Sequence, residues 1–98
     1  MPAYVIVDIE VKDPETYEGY KKQAPASIAH YGGKYIARGG ECCVLEGEWI
    51  PNRFVILQFD SVERAKEWLN SPEYAPARRL RRLSAHTNMI VTEGLSES

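Results

Sequence analysis

The chain has 98 residues, enough for one domain, and a domain this small buries only about 60–65% of its unfolded surface, so a face shared with a partner would help it. Twelve Lys and Arg against fourteen Asp and Glu leave a net charge of −2, which argues against a nucleic-acid binder. No apolar run approaches the ~20 residues that cross a bilayer, so no membrane role is expected.

Ala3 to Val11 is rich in β-branched residues and is predicted to be a strand. Ala3, Val5, Val7, Ile9 and Val11 share one face. Tyr4 and Ile6, then Asp8 and Glu10, share the other. Asp13-Pro14-Glu15 predicts a helix start, with a capping aspartate, a proline suited to the first position and an acid at the positive end of the dipole. Tyr17, Tyr20, Ala24 and Ile28 recur at helical spacing as a core-facing stripe. Pro25 lies inside that stripe and is expected to kink or split the helix, because it donates no hydrogen bond and crowds the preceding turn. Gly32-Gly33 ends the element.

Lys34 to Arg38 is predicted as a short second strand, interrupted by Gly39-Gly40 and open to continuation over Cys42 to Glu46 beyond a bulge or turn. Gly47 to Asn52 reads as a loop. Arg53 to Phe59 is the third strand, with Val55, Leu57 and Phe59 opposed to Phe54 and Ile56. Ser61 is placed to cap a second helix that turns Ala65, Trp68 and Leu69 inward. Ser71-Pro72-Glu73 repeats the cap, proline and acid, so a further helix is expected from Pro72 to Leu83. Met89 to Thr92 is the last strand, and the tail over residues 95–98 is expected to fray.

Strand, helix, strand, strand, helix, strand is the split βαβ order of an α+β, ferredoxin-like βαββαβ sandwich, with helices on one face of an antiparallel sheet. No linker divides the chain, so residues 1–98 form a single domain. The face without helices should alternate to polar residues. Instead, the first and third strands are apolar on both faces. A second copy stacked sheet to sheet would cover the bare face through a two-fold contact, giving a homodimeric α/β barrel. The rival cover is the chain's own loops and second helical region.

Several segments form a recognisable string: Gly32-Gly33-Lys34-Tyr35, Arg38-Gly39-Gly40, and Leu45-Glu46-Gly47-Glu48-Trp49 with Pro51 and Arg53. It continues through Phe59-Asp60-Ser61, Ala65, Trp68, Ser71-Pro72-Glu73-Tyr74 and Thr92-Glu93-Gly94. Over almost its whole length the chain resembles the domain-of-unknown-function 1330 family of the dimeric α/β-barrel superfamily. Asp60 stands where that pattern more often has proline, which alters only the start of a helix. The resemblance implies the fold and the dimer. Its superfamily holds cofactor-free monooxygenases, lactone isomerases, haem enzymes and apparent non-enzymes, so it selects no activity.

Among polar residues, Arg38, Glu46 and Arg53 lie on or beside strands and suit a carboxylate-binding or proton-handling pocket, with Glu46 as a base. They suit equally a structural Arg–Glu pair. Tyr74, Arg78 and Arg81 share a helix face, and Tyr74 with Arg81 could close over an anion; the run Arg78–Arg82 as a whole reads as a solvated basic face. His30 ends the first helix, where a cation favours the dipole, and is an alternative base near Tyr31 or Tyr35. His86 is placed in a turn. Trp49 could line a pocket or pack over the sheet edge or partner. Adjacent Cys42 and Cys43 imply no disulfide framework, and the start Met1-Pro2-Ala3-Tyr4 shows no signal peptide, so a reducing cytoplasm is expected. No metal spacing, nucleotide loop or nucleophile elbow is present, and no cofactor is expected.

The leading expectation is a dimeric small-molecule-binding protein with a pocket between sheet and helices for a small anionic or aromatic ligand. Arg38, Glu46, Trp49, Arg53, Tyr74 and Arg81 are its candidate contacts. Two alternatives stay open. One is a cofactor-independent enzyme working by proton transfer or oxygenation, with Glu46 or His30 as base. The other is a structural or regulatory dimer without a ligand.

Overall fold

The computed structural model describes residues 1–95. The elements run β1 (Ala3–Val11), α1 (Pro14–His30), β2 (Lys34–Arg38), β3 (Arg53–Phe59), α2 (Val62–Leu69), α3 (Ala75–Ser84) and β4 (Ala85–Glu93). The strands form one antiparallel sheet in the order β2-β3-β1-β4, the ferredoxin-like arrangement. All three helices lie on one side. The expected fraying of the tail falls on residues 96–98, which are outside the described residues, and on Leu95, which is exposed.

The helix starts follow their capping residues. Asp13 accepts from the Thr16 amide at 3.3 Å and from its hydroxyl at 2.6 Å; Ser61 accepts from the Arg64 amide at 3.0 Å. At the end of α1 the chain turns tightly through Gly32 (φ 74°) into Gly33. A methyl group on Gly33 would lie 2.5 Å from the Phe59 ring and 2.8 Å from Ile28, so only glycine lets the turn pack on the core.

The core lies between the sheet and the helices. It is built by Val5, Val7, Ile9, Val55, Leu57 and Phe59 below and by Tyr17, Ile28, Trp68 and Tyr74 above. Aromatic packing runs through it: Phe59 to Trp68 at 5.4 Å between ring centres, then Trp68 to Tyr74 at 4.2 Å. Trp68 Nε1 donates to Ser27 Oγ at 3.2 Å, and the Ser27 hydroxyl donates to the Ala24 carbonyl at 2.8 Å, so both buried groups are satisfied.

The opposite face carries no helix. Register places Ile56 beside Ile6 and Ile6 beside Ile90, an apolar row across three strands. It is flanked by Gln58, Tyr4 and Thr92 on one side and by Phe54, Asp8 and Asn88 on the other. Ile90 is 63% exposed in the single chain.

Three expectations are corrected, and that of a kink or split at Pro25 is narrowed. Pro25 does not split α1, which continues to His30. Cys42 to Glu46 form no strand: the β2–β3 ladder ends at Arg38 opposite Val55, and β3 begins only at Arg53, which leaves these residues no partner. The third helix begins at Ala75, not Pro72. Ser71 does cap the turn before it, accepting from the Tyr74 amide at 3.1 Å. β4 starts at Ala85, because β1 pairs along its full length from Ala3 opposite Glu93 to Val11 opposite Ala85, so His86 stands in a strand opposite Glu10 rather than in a turn.

Candidate functional site

A cleft opens between α1 and the helix-covered side of the sheet, with about 380 Å³ of empty space counting the solvent at its mouth. Tyr17, Tyr20, Tyr35, Arg38 and Arg53 line it over a floor of Val55 and Leu57. Its enclosed part has room for about one water molecule.

Two arginines reach it from neighbouring strands. Arg38 ends β2 opposite Val55, and Arg53 begins β3 opposite Ile9, so both project to the helix side. Arg38 Nη2 donates to the Lys21 carbonyl at 3.3 Å, and its guanidinium lies 4.5 Å from the centre of the Tyr35 ring. Lys21 is four residues before Pro25, which has no N–H to offer that carbonyl. The sheet therefore answers the acceptor that the proline leaves open, and α1 runs on unbroken.

Arg53 lies 5.7 Å from the Tyr17 ring centre, and its buried Nε has no hydrogen-bond partner. Gly39 makes room for it: φ there is 69°, and a Cβ would run into the guanidinium.

Behind the cleft a third guanidinium is sealed in. Arg81 is 7% exposed, and its Nε donates to the hydroxyl of fully buried Tyr74 at 3.3 Å. The Tyr74 and Tyr20 hydroxyls are 2.9 Å apart. Among the described residues no carboxylate lies within 4.0 Å of Arg38, Arg53 or Arg81. Glu18 on α1 is paired with Lys21 at 2.9 Å.

Burial pushes the phenols of Tyr17, Tyr20 and Tyr35 above the ordinary value, Tyr20 furthest, with Arg53 and Arg38 partly opposing the shift at Tyr17 and Tyr35. All three stay protonated donors at neutral pH. The unfolded chain releases these protons near 10, whereas the folded chain keeps them. The folded state therefore binds more protons in alkali, and stability is expected to fall as pH rises past about 10. Thermal melts from about pH 8 to 11 should show the fall, and Tyr20→Phe should flatten it.

The other candidates lie elsewhere. Glu46 is exposed in the segment between β2 and β3 and forms no ion pair among the described residues, so Arg38 and Glu46 do not meet. Trp49 sits toward the bare face: its Nε1 donates to Asp8 Oδ2 at 3.0 Å, and its ring meets Phe54 edge-on at 5.9 Å. His30 is exposed, with Nε2 3.9 Å from Glu73 Oε2, and does not line the cleft. Conversely, Tyr17 and Tyr20 read in the sequence only as a core stripe, and nothing there distinguishes a core tyrosine from a cleft wall. The spacing of Lys21 and Pro25 was a readable signal for a carbonyl in need of a donor. Among the described residues no group of three or more His, Cys, Asp or Glu is placed to hold a metal ion. No described helix is long and apolar enough to cross a membrane.

The model of a domain of unknown function, DUF1330, matches residues 2–95, which places the chain in that family. No curated protein matches it significantly. Solved structures share the fold. A protein of unknown function from Rhodopseudomonas palustris superposes with a TM-score of 0.79 at 18% identity, over 98% of this chain and 84% of that one. SnoaB, a cofactor-independent oxygenase from Streptomyces nogalater, gives 0.66 at 13% identity, over 98% and 95%. A dimeric protein of unknown function with a ferredoxin-like fold, from Bacteroides fragilis, gives 0.65 at 16% identity, over 95% and 96%.

Proposed function

We propose that this chain, which belongs to the DUF1330 family, is a homodimer joined through its bare sheet faces, and that each protomer binds a small organic acid in the cleft beside α1. One observation carries the binding reading: the guanidiniums of Arg38 and Arg53 line one cleft with no carboxylate within 4.0 Å of either among the described residues, and the buried Arg53 Nε has no hydrogen-bond partner. A half-buried guanidinium with an unpaired Nε–H favours an acceptor, and a bidentate carboxylate is the partner whose geometry matches arginine. The tyrosine and aliphatic walls suit the apolar body of such an acid. Support for the dimer comes from the isoleucine row, from the exposed Leu45 (96%) and Ile50 (76%), and from the dimeric fold relative. The free, exposed Cys42 and Cys43 fit a reducing cytoplasm as the place of work. An oxygenase working without a cofactor, as named for SnoaB, would need a base at the cleft, and neither Glu46 nor His30 lines it.

Thermal melts against acetate, propionate, benzoate and phenol test the reading. The carboxylates are expected to stabilise the protein and phenol is not. Arg53→Met, which keeps most of the side chain's packing, should reduce the stabilisation at least about tenfold in apparent affinity, as should Arg38→Ala. Equal shifts in the variants would remove the cleft from consideration, and no shift from any acid would favour a dimer without a ligand.

A further inference from the structure

The hydrogen bonds behind the cleft have a direction. An arginine Nε can only donate, so the Tyr74 oxygen must accept from Arg81. Tyr74 has one proton to place. It is fully buried, and Tyr20 Oη at 2.9 Å is the one further hydrogen-bonding partner of its hydroxyl among the described residues. If Tyr20 donated to Tyr74, the Tyr74 proton would be left in the core without an acceptor, an arrangement native interiors avoid. With Tyr74 donating to Tyr20, the proton left without a protein acceptor is that of Tyr20, which lines the cleft where solvent or a ligand can take it, and the charge on Arg81 strengthens the bond by polarising the Tyr74 hydroxyl.

We infer that the chain runs one way, from Arg81 through Tyr74 to Tyr20, and that it leaves the Tyr20 hydroxyl proton facing the cleft as a fixed donor that selects ligands carrying an acceptor oxygen. The inference rests on the cleft being a ligand site, and it gives that site a specificity residue besides the arginines. Arg38 and Arg53 attract negative charge from the mouth. Tyr20 reads the ligand deeper in, where T-shaped contact with Tyr74 at 6.3 Å and contact with Tyr17 at 5.3 Å hold its ring. A carboxylate or carbonyl oxygen satisfies it; an ammonium or an alkyl group at the same point leaves it unpaired. Tyr74 and Arg81 touch no ligand and act as positioning residues.

Two measurements test this separately from the binding reading. Neutron diffraction from crystals of the deuterated, ligand-free protein should place the Tyr74 deuteron on the line to Tyr20 Oη and the Tyr20 deuteron away from Tyr74. A Tyr20 deuteron on the line to Tyr74 would overturn the inference whether or not any acid binds. Benzoate titration is the second. Tyr20→Phe should weaken benzoate at least about tenfold and, by leaving the buried Tyr74 proton without an acceptor, should also lower the melting temperature of the free protein, whereas Tyr74→Phe should weaken benzoate less. If benzoate binds the native protein and Tyr20→Phe equally well, Tyr20 is no selector, although the arginine reading survives. If benzoate does not bind the native protein, that reading fails while the neutron map still decides the direction of the chain.

Discussion

Ile6→Lys is expected to convert the proposed dimer into a monomer that keeps its fold and its cleft. Ile6 is the centre of the row Ile56–Ile6–Ile90 on the bare face, and a two-fold contact would bring two copies of that row together. A lysine there places two ammonium groups in one interface, each penalised by several kcal/mol on losing water. The dissociation constant should rise at least about a thousandfold, close to 4 kcal/mol. Light scattering at micromolar concentration reads the change in mass, and circular dichroism confirms the fold. The side chain projects away from α1, so benzoate binding should persist in the monomer. A variant that remains dimeric would move the interface off this face. One that dissociates and also loses binding would show that the cleft depends on the partner.

Trp68→Ala is expected to be the most destabilising single change in the core, at about 3–5 kcal/mol. Trp68 is among the largest fully buried side chains and links Phe59 to Tyr74 through ring contacts of 5.4 and 4.2 Å. The loss is a large fraction of the ~5–15 kcal/mol that holds a domain of this kind. It also removes a wall of the cleft. Trp68→Phe separates the contributions, since it keeps a ring but drops the bond to Ser27 Oγ; it should cost about 1–2 kcal/mol. Urea midpoints measured at one protomer concentration give both values, because a dimer's stability depends on concentration.

Where local chemistry decides, the sequence was enough. Asp13, Pro14 and Ser61 mark helix starts that the structure repeats, and the alternation through β1 and β3 identifies both faces of the sheet. It was not enough where tertiary pairing overrides propensity. His86 and Asn88 are poor strand formers, yet they belong to β4 because β1 offers them a full ladder. Cys42 to Val44 look strand-like but lack a neighbour. The site divides in the same way. Arg38 and Arg53 were legible as charged residues at strand ends, and Tyr74 with Arg81 as one helix face. Joining Glu46 to them was an argument from charge alone, and the fold places that residue in solvent. Tyr20 escaped notice because its partner, Tyr74, is 54 residues away in the chain.

The cleft beside α1 is proposed to hold a small carboxylate between Arg38 and Arg53. The most direct measurement is a nuclear magnetic resonance titration of the labelled protein with benzoate, following the arginine Nε–H and tyrosine ring signals. Saturable shifts at Arg38, Arg53, Tyr20 and Tyr35, with little change at Glu46, Trp49 and His30, are the predicted result. Shifts confined to the Arg79 and Arg82 surface of α3, or none at saturating benzoate, would contradict it.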